Sequence, residues 1–201
     1  MSSEDDPNRG LARLLKDETR AAHLEAERVF VRAVKEGGLD AGPAHLMGLN
    51  VALVAWLTRE ARAVAPSPLA AEIAEFVAVV DAARAPALAM PPLPPGPALE
   101  SEEEIAGAAY AVCGSFLGAA ALARGWGTGS VPGFAAFCAA SATLERRWPA
   151  FRQALDAFGR AHAGCAQHAV IGAERAFAYA REVVATLGES RTAMRAAEHA
   201  S

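Results

Sequence analysis

Hydrophobic and polar positions along this chain repeat at steps of three and four, and no strict alternation survives a window of six residues, so every predicted element is a helix. The first follows Asp6 and Pro7, a good cap and first-turn pair, and runs to about Lys35. Its apolar stripe is Leu11, Leu14, Leu15, Ala22, Ala26, Val29, Phe30 and Ala33, and Gly37-Gly38 ends it. A second helix follows Asp40 to about Val64; from Ala41 to Thr58 it has no formal charge, with His45 and Asn50 interrupting the apolar run. Ser67-Pro68 caps a third, to about Arg84. Residues 86–98 hold six of the twelve prolines and predict a stiff connector. Further helices are expected from Ser101 to Gly125, from Phe134 to about Phe158 with a break at Trp148-Pro149, and from about Ala161 to Leu187. Gly125–Gly133 reads as a flexible loop, and the polar tail after Gly188 as disordered.

The stretch Ser101–Gly125 organises the rest. Ser101 and Glu104 have the spacing of a capping box, with Glu104 expected to reach back to the cap's own N–H. Between Ile105 and Ala123 there is no charged side chain, and Gly107, Ala111, Gly114, Gly118, Ala121 and Gly125 fall along one helical face. Glycine inside a helix costs about 1 kcal/mol relative to alanine, so the stripe needs a cause. Three are open: a helix packed closely through small residues, a membrane span, or a flat ligand lying against the backbone.

Composition narrows the classes. At 201 residues the chain reads as one all-α domain, a compact array of six or seven helices with a core over about 7–187 and a polar tail over 188–201. A net charge of −4 with no strongly basic run argues against nucleic acid and anionic membrane partners. The acidic, polar N-terminus does not resemble a secretory signal, and no cationic loop marks the inner side of a membrane span. The expected location is cytoplasmic. Cys113, Cys138 and Cys165 lack paired spacing and read as buried thiols.

Candidate chemistry centres on the histidines. Thr19, His23, Ala26, Glu27 and Phe30 share one face of the first helix, so His23 has apolar neighbours and a carboxylate one turn on. It reads either as a hydrogen-bonded core residue or as a ligand, with Glu27 orienting the ring or simply solvated. His45 reads as a surface residue, His162 and His168 do not share a face, and His199 lies in the tail. No E-x-x-H pair for a di-iron site occurs, and no phosphate loop, nucleophile elbow, zinc-protease or dinucleotide motif is present. One histidine on a first helix and one glycine-striped helix elsewhere are what a haem sandwich requires.

On these residues the chain resembles the haem oxygenase family, in its bacterial biliverdin-producing branch. Leu14–Glu27, L-L-K-D-E-T-R-A-A-H-L-E-A-E, is similar to the family's proximal segment, and Tyr110–Arg124, Y-A-V-C-G-S-F-L-G-A-A-A-L-A-R, to its distal-helix signature. R-W-P-A-F-R-Q-A-L-D over Arg147–Asp156 and I-G-A-E-R-A-F over Ile171–Phe177 resemble later segments. The resemblance implies a haem-oxygenase-like helical fold with His23 as axial iron ligand and with Thr19, Glu27, Phe116 and Arg124 around the cofactor. Gly114, Ser115 and Gly118 would form the catalytic distal wall. Arg124 falls at a propionate-pairing position, with Lys16, Arg32 and Lys35 as weaker candidates. The implied activity is a monooxygenase that cleaves haem to biliverdin, carbon monoxide and ferrous iron. It would use O2 and electrons from a ferredoxin or similar reductase.

Two departures from the pattern, Cys113 where glutamate is usual and Phe116 at an often polar position, keep a haem-binding relative with impaired turnover as the alternative. A thiaminase-like hydrolase of the same architecture is a third reading; it would need a nucleophilic cysteine in a polar cavity.

Overall fold

In a computed structural model, residues 10–38, 41–62, 68–83, 91–126 and 131–199 are described, and all regular structure among them is helical. The helices are α1 (Leu11–Glu18), α2 (Arg20–Gly37), α3 (Ala41–Ala61), α4 (Pro68–Ala83), α5 (Glu102–Ala123), α6 (Phe134–Ala161) and α7 (Ala166–His199). The expected caps at Asp6-Pro7 and Ser67 lie outside the described residues, as does part of the 125–133 loop. Residues 91–100 are extended, as the prolines dictate. They form a strap whose carbonyls are taken up by Trp56 Nε1 at Pro97 (2.8 Å) and the Tyr179 hydroxyl at Pro94 (3.3 Å).

Helix α5 is the axis. Ser101 accepts from the Glu104 N–H at 3.2 Å, as the capping pattern predicts. The reciprocal half differs: the Glu104 carboxylate accepts from the Glu100 N–H (2.8 Å) and pairs with Arg175 of α7. A cation within reach outweighs one amide.

Helices α3, α6 and α7 surround α5. Gly42 of α3 lies against Trp126, and Asn50 against Ser115, so α3 runs antiparallel to α5. A Cβ at Gly107 would fall on the Ala169 carbonyl, and one at Gly172 on the Glu104 carbonyl. On each helix the glycine lies three residues beyond the carbonyl that its partner's glycine meets, so α5 and α7 run in the same direction. Two backbones touch there, which explains Gly107 by packing alone. Helix α2 lies on α7, and α4 covers α6 through Phe76 and Phe151, whose rings are 5.5 Å apart.

Helices α3 and α5 are each long and apolar enough to cross a membrane. Their window residues are 78% and 61% buried inside the fold, however, so their apolar surface is used mainly on other helices.

Four expectations need correction. The first helix is interrupted at Thr19 (φ −94°, ψ 8°), whose hydroxyl donates back to the Leu15 carbonyl at 2.7 Å and loosens the turn. Pro149 does not break α6: it sits on the exposed side, where the Glu145 carbonyl that loses its donor is open to solvent. The tail from 188 is not irregular but helical to His199, with Ser190 and Thr192 hydroxyls donating one turn back. His45 is not on the surface; it is 3% exposed.

Candidate functional site: His23 and the uncovered half of α5

The small-residue stripe of α5 has two halves with different surroundings. Gly107 is closed off by α7. At Gly114 an added Cβ would meet only the Trp148 ring, at 3.7 Å, and at Gly118 it would meet nothing within 4 Å. Ala121 and Leu122, on the same side, are exposed. The protein's own packing therefore explains the first glycine and leaves the other two facing open space.

His23 lies on α2, against α7. Its ring is exposed and stacks on Phe177 of α7, with centroids 5.4 Å apart and planes 24° from parallel. Gly114 lies seven residues past Gly107, about 10 Å of helix rise, and Phe177 five past Gly172, about 8 Å. Measured from that crossing, the stacking partner of His23 is therefore advanced along α7 by a rise similar to that of Gly114 along α5. Successive residues turn by about 100°, which sets Phe177 on the arc between Ala169 and Gly172, facing α5, and Arg181, which reaches Glu25 of α2 at 3.6 Å. Phe177, and with it His23, therefore lies on the part of α7 between its α5-facing and α2-facing sides. Among the described residues neither His23 nitrogen has a hydrogen-bond partner, so the imidazole is free to bind.

Other predicted residues are placed differently. The Thr19 hydroxyl is buried and spent on Leu15, so it shapes the α1–α2 junction and is not free to contact a ligand. Glu27 is exposed and makes no contact with His23 among the described residues. Phe116 is 1% exposed and packs on Phe137 of α6, 6.1 Å away, which makes it core and not pocket. Ser115 is half-buried and turned toward α3, with Oγ 2.7 Å from Asn50 Oδ1. Arg124 caps the C-terminus of α5 and pairs with Glu145 at 3.6 Å. Both partners are largely exposed, so that pair contributes little, and the guanidinium remains open to a stronger carboxylate partner.

Two residues were missed. Tyr110 is one turn before Gly114 on the same face, and its ring lies 5.8 Å from Trp148, closing the N-terminal end of the open half. Burial raises the Tyr110 phenol above its ordinary range, with Arg152 opposing, so it stays protonated at neutral pH. The four-residue spacing could have flagged Tyr110; nothing local could have flagged Trp148, which comes from α6.

The thiols offer no nucleophile. Burial pushes Cys113 well above the ordinary cysteine range, with Glu72 adding to it, and it raises Cys138 and Cys165 as well. Among the described residues no cluster of three metal-binding side chains occurs. One unengaged imidazole at His23, a stretch of α5 with little side-chain bulk at Gly114 and Gly118, and a weakly paired cation at Arg124 are donor types that a flat metal-bearing ligand would use. Comparison with protein-family models, curated proteins and solved structures gives no match for this chain.

Proposed function

We propose that this chain binds haem between His23 and the uncovered half of α5. It degrades it to biliverdin, carbon monoxide and ferrous iron with O2 and electrons from an external donor. The observation that carries the reading is that an added Cβ would meet only the Trp148 ring at Gly114 and nothing at Gly118, while the His23 imidazole is exposed and unengaged among the described residues. Each of the two glycines costs the helix about 1 kcal/mol, and neither is required by a neighbouring side chain or backbone. The sequence resemblance over Leu14–Glu27 and Tyr110–Arg124 points the same way.

When bound, haem supplies a redox-active iron. His23 is the residue that would hold that iron, through an imidazole nitrogen, and stacking on Phe177 restricts the ring's rotation. Gly114 and Gly118 keep their part of α5 at backbone level, leaving room for a diatomic ligand beside the macrocycle. Arg124, held only by a weak exposed pair with Glu145, would be free to pair with a propionate. Tyr110 and Trp148 limit how far the macrocycle slides toward the strap.

Haemin titration followed by absorbance tests this. The native chain is expected to give a saturable haem band that His23→Ala loses or strongly shifts. Reductant under air is then expected to yield biliverdin. A chain that does not bind haemin, or one whose His23→Ala variant binds with an identical spectrum, would sink the reading.

A second reading, haem binding without turnover, has its own support. The Ser115 proton is engaged on Val112 and Asn50, and Cys113 points into the core, so neither side chain flanking Gly114 in sequence is free to act as an acid. A haem spectrum that persists under reductant and air with no biliverdin absorbance would select it.

A further inference from the structure

The apolar run of α3 is interrupted at Asn50, which is fully buried. A buried amide demands partners, and these are specific. Asn50 Nδ2 donates to the Leu46 carbonyl at 2.8 Å, which fixes the amide orientation and turns Oδ1 toward α5. There it meets Ser115 Oγ at 2.7 Å, while the same hydroxyl lies 2.6 Å from the Val112 carbonyl of its own helix. A serine hydroxyl has one proton, and both neighbours can only accept. The proton is shared between them, tying α5 to α3 directly beside the two uncovered glycines.

That tie stands where α5 has least support. On its uncovered side, Gly114 touches only the Trp148 ring and Gly118 touches nothing. From Gly107 back to Glu104, by contrast, α7 holds the helix by direct backbone contact. Glycines also weaken a helix against local opening. We infer that Asn50 is a positioning residue for the uncovered half of α5, acting through Ser115 to hold the turns carrying Gly114 and Gly118 in place. The inference rests on the haem reading only for what lies beside those turns; the positioning itself is a property of the ligand-free chain.

Amide hydrogen exchange on the ligand-free chain tests it, with Asn50→Leu, Ser115→Ala and Ser115→Thr compared with the native protein. Loss of one buried hydrogen bond corresponds to roughly fivefold faster opening. Asn50→Leu and Ser115→Ala are each expected to accelerate exchange about that much over residues 114–122, and not over 105–111. Ser115→Thr, which keeps the hydroxyl, is expected to restore native protection. Haemin affinity should fall by a similar factor in the first two variants and hold in the third. Unchanged exchange, or acceleration spread evenly along α5, would overturn the proposal. If no variant and not even the native chain binds haemin, the haem reading fails, and the exchange pattern alone decides the role of Asn50.

Discussion

Gly107 and Gly118 sit eleven residues apart on one stripe, and alanine at the two positions is expected to act in opposite directions. At Gly107 the new methyl would overlap the Ala169 carbonyl oxygen, and backbone cannot swing aside as a flexible side chain can. Helices α5 and α7 would have to separate, loosening the Glu104–Arg175 pair and the reciprocal contact at Gly172. Overpacking of this kind costs up to about 3 kcal/mol or more, against a gain of about 1 kcal/mol in helix propensity. The net expectation is a loss of about 2 kcal/mol, or roughly 4–8 °C in Tm for a chain of this size. At Gly118 no atom lies within 4 Å of the added methyl, so only the propensity gain remains. Gly118→Ala should therefore stabilise the ligand-free chain by up to about 1 kcal/mol. Circular dichroism at the helix band during thermal and urea unfolding measures both. Haemin titration supplies the counterpart: a bulkier Gly118→Leu should leave the fold intact and lower haemin affinity. A destabilised Gly118→Ala, or a Gly107→Ala as stable as the native chain, would refute the division of the stripe.

Three further outcomes are expected. His45 is buried with Nδ1 bonded to the Ala41 carbonyl (2.8 Å) and Nε2 unpartnered; burial lowers its folded pKa, and Arg191 acts in the same direction. The unfolded chain therefore takes up this proton first, so stability is constant above the ordinary value of about 6.5 and declines as pH falls from there toward the lowered value. Urea midpoints across this range should show that decline, and His45→Phe should flatten it. Glu104→Gln should destabilise by about 2 kcal/mol, less than for a fully buried pair because the Arg175 side chain is 31% exposed; a urea midpoint unchanged from native would contradict the packing described for α5 and α7. Native Cys113 should resist alkylation at neutral pH on the timescale that labels the urea-unfolded chain, with Cys138 the first to react. Rapid labelling of Cys113 would revive a thiol-based chemistry.

Much of the architecture is written in local sequence. Spacing of apolar residues gives each helix, the Ser101 cap fixes where α5 begins, and proline density makes 91–100 a strap, because these depend on residues within one or two turns of each other. Where sequence misled, a non-local partner, solvent or packing decided: Arg175 draws Glu104 from its cap role, exposure rescues Pro149, and the packing around α3 buries His45. The stripe of small residues on α5 was equally legible, but its meaning was not. A glycine that lets a neighbouring backbone in and a glycine that faces open space look the same along the chain. Only the parallel course of α7 beside α5, close at Gly107 and away from the stripe by Gly118, separates the two. Phe116 and Ser115 are adjacent in sequence yet face different helices, since each step turns about 100°. Which of those directions holds protein and which holds space is fixed by what packs there.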